Sequence, residues 1–380
     1  MAKSRLIYVS SPYSGAVVEG QVYELLEYYK QQDWFEDVLL LQSYTGEEDR
    51  LKGEEVLRKF SFRKKFFWMN PYYPFFYSKS INHLRMALDG EVKQNTVFHV
   101  RGGVYGRYVR SALSGRFQNL LILAEFRGLL SNEIMYTTKP NLIDILKRNI
   151  KLRHIKRCNK IMQSDSRIHY TAVSPLLREI EVEQEHFKRN TISVHPNLAA
   201  SCFKFNTEQR SEIRRQLGIP DDKILIVTSS GESGAWQKDI DIIDELTSKG
   251  YTILNLSKKE VDNPNVITRF VSHTEMPAYL SASDAALLWR DDVPLNNVAC
   301  PSKFSEFAVM GLYIIHNKTV DIVTQFTSKF NCGIGVDNPE EINLTKDLFS
   351  GENRRKRCEA GQGVFSIEVI AESYYSILQS

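Results

Sequence analysis

The chain has 380 residues, 42% hydrophobic and 25% charged, the composition of a folded protein with material for two or three cores. The net charge of +3 is unevenly spread. Residues 1–190 hold 30 Lys and Arg against 21 Asp and Glu, or +9, and the rest hold 19 against 25, or −6, so an anionic partner or surface is expected for the first half. No apolar run reaches the roughly 20 residues of a membrane span, and the N-terminus enters a strand without the apolar stretch of a signal peptide. Five scattered cysteines without C-x-x-C spacing indicate neither a zinc site nor a disulfide framework, and a reducing cytoplasm is the expected compartment.

In chain order, a strand over 5–10 runs into Ser-Pro-Tyr-Ser-Gly and then a helix over 21–31. Gly15 in that turn would let a ligand approach the backbone. A buried strand over 38–41 follows. Residues 58–79 are unusual: Arg58, Lys59, Arg63, Lys64 and Lys65 precede eight aromatics from Phe66 to Tyr77. Basic and aromatic side chains together suit an anionic membrane surface. A loop whose aromatics cap the core is the other reading, and Pro71 and Pro74 argue against one continuous amphipathic helix. No RNA- or DNA-binding signature accompanies the stretch, so no nucleic-acid partner is expected.

A helix over 80–88 leads to a strand over 96–100 that ends in His99-Val-Arg101-Gly-Gly103. The strand over 120–125 ends in Glu125-Phe-Arg127-Gly128. Polar residues at the carboxyl ends of successive strands mark the ligand crevice of an open parallel sheet, so His99, Glu125 and Arg127 are candidate catalytic residues. Between 139 and 160 there are eight basic residues against Asp144. A solvated helix face is one reading and contact with anionic lipid, particularly over 147–160, the sharper one.

A domain boundary is expected near Pro196, after which αβ alternation restarts. A strand over 224–229 precedes a loop with Gly231 and Gly234 that leads to Lys238, a candidate phosphate site. Asp239-Ile-Asp241 has metal-binding D-x-D spacing but falls at a helix start, where a solvated face is the expectation. The stretch 284–315 is the most informative: a buried strand, a loop with Arg290, a helix opening at Pro301-Ser302-Lys303 and closing at Gly311, then another strand. The free N–H groups of the helix start beside Lys303 form an anion site. Glu306, one turn further along the same face, suits ribose hydroxyls.

These segments together resemble the GT-B glycosyltransferases, within them the large retaining family (family 4, or group 1) that includes many transferases of bacterial surface polysaccharide synthesis. The resemblance is carried by Y-T-A-V-S-P-L-L-R (170–178), I-S-V-H-P-N (192–197), L-G-I-P-D-D-K-I-L-I-V (217–227), S-H-T-E-M-P-A-Y-L-S-A-S-D-A-A-L-L (272–288) and, most specifically, P-S-K-F-S-E-F-A-V-M-G-L-Y-I-I (301–315). F-R-G-L-L-S-N-E (126–133) resembles an acceptor-side segment. It implies an α/β protein of two Rossmann-like domains facing across a cleft: an acceptor-side domain over 1–193, a nucleotide-sugar domain over 194–365, and a helix over 366–380 that returns to the first. By position, Glu306 would bind ribose, and Ser302 and Lys303 the diphosphate. Lys238 and Arg290 would add positive charge, with Gly15 and Gly231 giving close backbone approach.

The implied reaction is hexosyl transfer from a nucleoside diphosphate sugar (UDP favoured over GDP) to a glycan or polyprenyl-linked acceptor, with retention, no metal and no other cofactor. Such an enzyme would be cytoplasmic, on the inner face of the plasma membrane where its basic segments meet lipid. The chain departs from the family where Val298 stands in place of a glutamate eight residues before Glu306, and where Tyr313 replaces a proline. A non-catalytic nucleotide-sugar-binding subunit of a glycan assembly complex is therefore the alternative. A Rossmann oxidoreductase is disfavoured, because no G-x-G-x-x-G follows the first strand.

Overall fold

The computed structural model describes residues 3–379 apart from 116, 118, 119, 138, 140, 166 and 230–237. Its contacts divide the chain into two compact units, residues 1–195 with 371–380, and residues 196–370. Among the described residues the first unit carries seven strands: β1 (Arg5–Ser10), β2 (Asp37–Tyr44), β3 (Arg63–Trp68), β4 (Thr96–Val100), β5 (Ile122–Phe126), β6 (Ile168–Ala172) and β7 (Ile192–Val194). They pair in the order β3-β2-β1-β4-β5-β6-β7, every pair parallel. Every residue of β1 and of β5 is buried. Continuously buried strands of this kind suit a parallel sheet that helices cover on both faces. The strand order reverses between β1 and β4, and in such sheets ligands collect beyond the carboxyl ends of the strands at that switch point.

Two expectations fail in this unit. The helix after β1 begins at Ala16 directly after Gly15, passes through a π turn over Glu19–Tyr23 and ends at Gln31. Gly15 itself has φ +85°. The stretch 58–79 is not a loop: Arg63–Trp68 is the edge strand β3, followed by a helix over Tyr77–Leu88. Four of its basic residues are engaged within the chain. Arg63 pairs with Asp37 (2.6 Å) and Glu91 (2.8 Å), Lys65 with Glu91 (2.7 Å) and Lys59 with Glu19 (2.8 Å). Lys64 donates to the carbonyls of Leu57 and Phe60. Charge on an edge strand blunts it against pairing with another chain, and this use hides the strand from a reading based on hydrophobic alternation.

Among its described residues the second unit has six strands: β8 (Leu225–Thr228), β9 (Thr252–Asn255), β10 (Val266–Thr268), β11 (Ala285–Leu288), β12 (Tyr313–His316) and β13 (Gly333–Gly335). They are also all parallel, in the order β10-β9-β8-β11-β12-β13. The amino end of this sheet is tied by buried Asp284, which accepts from Leu225 N (2.8 Å), Arg210 (2.6 Å) and Arg214 (3.2 Å). Pairing with two guanidiniums and a backbone N–H compensates the cost of burying the carboxylate.

The helix Ser302–Val309 is held from behind by the helix Gly351–Phe365. Arg354 donates to Met310 O (2.7 Å) and Arg357 to Gly311 O (2.8 Å), placing two cations on the carbonyls that end the helix, where its dipole is negative. Burial drives Arg354 down to about 9. Gly311 ends the helix at φ +66°, and a Cβ there would lie 2.5 Å from Cys358 Sγ and 2.7 Å from Arg354 O. Gly361 allows the same close approach, since a Cβ there would come within 2.1 Å of Ala308 O. Among the described residues no helix is long and apolar enough to cross a membrane.

Candidate functional site

In the second unit, polar residues gather beyond the carboxyl ends of β8, β11 and β12. The Lys238 N–H donates to Trp289 O (2.9 Å), and its ammonium lies 3.6 Å from Asp241. Arg290 follows β11 and its backbone is pinned by three hydrogen bonds from two residues. Asn317 Nδ2 and Thr319 Oγ1 donate to Arg290 O (2.6 and 3.2 Å), and Arg290 N donates to Asn317 Oδ1 (3.3 Å). At the start of the helix Ser302–Val309, the N–H groups of Phe304 and Ser305 turn back to Pro301 O (3.0 and 3.4 Å). Those of Ser302 and Lys303 precede any acceptor in the helix and point out of its end. Ser305 fixes the entry by donating to Asn197 O (2.6 Å).

Lys303 stands close enough to Asp239, Glu306 and Arg290 for their charges to act on it. Burial, reinforced by Arg290, pushes its ammonium down to about 8 against the pull of Asp239 and Glu306. Burial also lowers Arg290. Two desolvated cations at a helix amino terminus are poised for an anion, which would favour the charged form of Lys303. Glu306 Oε1 lies 3.5 Å from His273 Nε2.

The structure brings together Arg290, Ser302, Lys303 and Glu306, with Lys238 tied to the end of β11. Gly231 lies outside the described residues, and so does Gly234. Asp239 corrects an expectation. It is buried and accepts from Trp289 N (2.5 Å), so it braces the Arg290 loop and does not sit on a solvated face. Asp241 is exposed, with 61% of its side chain accessible. Among the described residues no group of three or more His, Cys, Asp or Glu is placed to hold a metal ion. Val298 is fully buried, so that position directs no side chain to a ligand.

In the first unit the register explains the polar cluster. Tyr8 on β1 is the partner of His99 on β4, and His99 of Leu123 on β5. The two-residue period of a strand then puts Glu125 on the face that Leu123 shares with His99. Tyr8 donates to Glu125 Oε1 (3.0 Å), His99 Nε2 lies 2.7 Å from the same oxygen, and Arg127 donates to Oε2 (3.0 Å). Burial works to raise the Glu125 carboxyl, but Arg127, His99 and Arg101 together hold it well below the usual carboxylate range. The His99 ring is sandwiched by Tyr8 and Tyr374, with ring centroids at 4.6 and 4.7 Å. Tyr374 also stacks on His195 at 4.7 Å and 12°.

Arg101, Glu125 and Arg127 line a cavity of about 260 Å³ at the carboxyl ends of β4 and β5, with Tyr72, Glu133 and Glu181 among its other walls. His99 does not line it and is fully buried. The expectation that His99 meets substrate is corrected accordingly, because the imidazole lies behind Glu125 and orients that carboxylate. Gly15 stands apart, in the turn beyond β1. Sequence reading also missed Tyr8 and Tyr374, which look like ordinary core aromatics, and Glu181, which looks like one acid in a helix with several.

Two parallel, doubly wound units, with the end of the last helix counted in the first unit, define the fold as that of the GT-B glycosyltransferases. The comparison with solved structures gives the same fold. The chain matches a glycosyltransferase from Rickettsia africae with a TM-score of 0.70 at 13% identity, covering 100% of this chain and 98% of that one. It matches HepE of Anabaena, solved with UDP, at 0.69 and 11%, covering 99% of each. For the sucrose-phosphate synthase of Thermosynechococcus elongatus the values are 0.68 and 13%, covering 99% and 98%. No family model matches the chain, and no curated protein matches it in sequence.

Proposed function

We propose that the protein transfers a hexose from a nucleoside diphosphate sugar to a hydroxyl of a glycan or polyprenyl-linked acceptor, with retention and without a metal or other cofactor. The observation that carries this reading is the half-buried, desolvated Lys303 beside Arg290 and Glu306 at the start of the helix Ser302–Val309. Breaking the bond between the anomeric carbon and the β-phosphate oxygen leaves negative charge on that oxygen. The Ser302 and Lys303 N–H groups, the Lys303 ammonium and the Arg290 guanidinium stabilise the charge without reorganising. Glu306 accepts from the ribose hydroxyls. The leaving oxygen takes the proton of the acceptor hydroxyl as the new glycosidic bond forms, so the reading assigns no general base to the chain. Arg127 and Glu125 hold the acceptor in the first unit, with His99 positioning Glu125.

UDP is favoured because HepE, which has the same fold, was solved with UDP and with UDP-glucose. A thermal-shift screen with UDP, GDP, ADP and CMP tests the nucleotide. UDP is expected to give the largest shift, and the Lys303→Ala variant to lose it. Absence of a shift with every nucleoside diphosphate would overturn the reading. The second reading, a nucleotide-sugar-binding subunit without turnover, is favoured by the buried Val298. Release of labelled sugar from UDP- and GDP-sugars separates the two, since binding without transfer or hydrolysis supports the subunit.

The reading extends to a membrane-borne acceptor. The helix Leu142–Met162 exposes Leu142, Ile143 and Leu146 at its start. Lys147, Arg153, Lys156, Arg157 and Lys160 are exposed along it. Apolar side chains beside a cationic face suit peripheral contact with anionic lipid. The stretch 58–79 contributes less to such contact, because Lys59, Arg63, Lys64 and Lys65 are engaged within the chain.

A further inference from the structure

Glu181, on the helix Pro175–Glu183, is 6% exposed and lines the first unit's cavity, and its Oε2 has no hydrogen-bond partner among the described residues. Glu185 and Glu133 line the same cavity. A Cβ on Gly128 would lie 2.8 Å from Glu133 Oε1, so the carboxyl rests directly on that backbone. Asn159 donates to Glu185 (3.3 Å). Among the described residues no lysine or arginine pairs with any of these three acids. The cavity's cations, Arg101 and Arg127, lie with Glu125 at the strand ends, and there the Arg101 Nη1 is likewise buried without a partner. Burial, reinforced by Glu185, pushes the Glu181 carboxyl up to about 8.

The cavity is therefore bipolar. The strand ends offer one unused donor, Arg101 Nη1, and the helix Pro175–Glu183 a buried carboxyl with an unused oxygen and no counter-charge. We propose that it binds a monosaccharide unit bearing a primary ammonium, an amino sugar, with the ammonium at Glu181 and ring hydroxyls accepting from Arg101. Buried carboxyls without a cation are the natural complement of an ammonium, and a unit of one sugar suits a cavity of about 260 Å³. The inference rests on reading the first unit as the acceptor side, and it names the class of acceptor. Near pH 7 the ammonium displaces the proton of Glu181, which leaves to solvent as the ion pair forms.

Calorimetry with D-glucosamine, D-glucose and N-acetyl-D-glucosamine, at pH 7 in two buffers of different ionisation enthalpy, tests it. Glucosamine is expected to bind at least tenfold more tightly than the other two and to release close to one proton. Glu181→Gln, a neutral isostere of the protonated acid, should abolish both the preference and the release while the fold persists. Equal affinity for glucose, or glucosamine binding without proton release, overturns the proposal. Both comparisons use the unmodified protein and stand even if the variant fails to fold. UDP binding is measured on the same sample: if UDP binds and glucosamine does not, this inference alone fails, whereas absent UDP binding counts against the transferase reading.

Discussion

At the scale of single residues the chemistry turns on Lys303. Its ammonium titrates near 8 in the free protein because burial penalises the charge, and a bound diphosphate would raise it again. Binding is thus coupled to proton uptake at and above pH 8, and affinity for UDP is expected to be flat below about pH 7 and to fall as pH rises through 8. Titration calorimetry from pH 6.5 to 9.5 checks this. Lys303→Arg should keep affinity and lose the pH dependence, because a guanidinium stays charged throughout. Lys303→Ala should weaken binding by roughly 10- to 100-fold, the scale of one charge-assisted hydrogen bond. Glu306→Ala is expected to weaken UDP by about tenfold and leave inorganic diphosphate unaffected. Equal losses for both ligands would mean that Glu306 does not act through the ribose.

At the scale of elements, the helix start works only because its other end is fixed. Gly311→Ala would force a Cβ into Cys358 and the Arg354 carbonyl at a positive φ, and a loss on the order of 2 to 4 kcal/mol is expected in urea unfolding. In the first unit, the last helix supplies Tyr374 to the stack on His195. Burial, with the nearby His99, pushes His195 down to about 4, although Glu125 opposes. The unfolded chain takes up its proton near 6.5. Stability from the neutral imidazole is therefore complete above pH 6.5 and declines as pH falls from 6.5 to 4, by on the order of 3 kcal/mol. His195→Gln should flatten that part of the stability–pH curve, and an unchanged slope would show that other groups set it. His316, also pushed down to about 4 by burial, adds a parallel dependence in the second unit that the single variant leaves in place.

At the scale of the whole molecule, the excess positive charge of residues 1–190 is divided between strand β3, where acids and carbonyls absorb it, and the helix Leu142–Met162, where it is exposed. Sedimentation with vesicles containing phosphatidylglycerol is expected to show binding at low salt that weakens toward 1 M, as screening shortens the reach of the charges. Replacing Leu142, Ile143 and Leu146 with serine should remove most of it. Substitution of Arg63 or Lys65 would instead break pairs that hold the edge of the sheet, and would read out as lost stability.

Much of this was legible in the chain itself. The apolar strands, the glycine and proline marks around Ser302–Val309 and the cation and acid one turn apart are local features, and local features set secondary structure and helix-end chemistry wherever the helix lies. The alternation of strand and helix likewise implied parallel sheets, since short-range hydrophobic periodicity decides which residues turn inward. What needed the tertiary structure was partnership. Glu91 and Asp37 turn a basic loop into an edge strand, Tyr8 and Tyr374 enclose His99 and remove it from the surface, and Asp239 turns in to brace Trp289. An unpaired carboxyl at Glu181 has meaning only once its surroundings are known. Charge compensation and burial depend on residues tens to hundreds of positions apart, so no window along the sequence contains them.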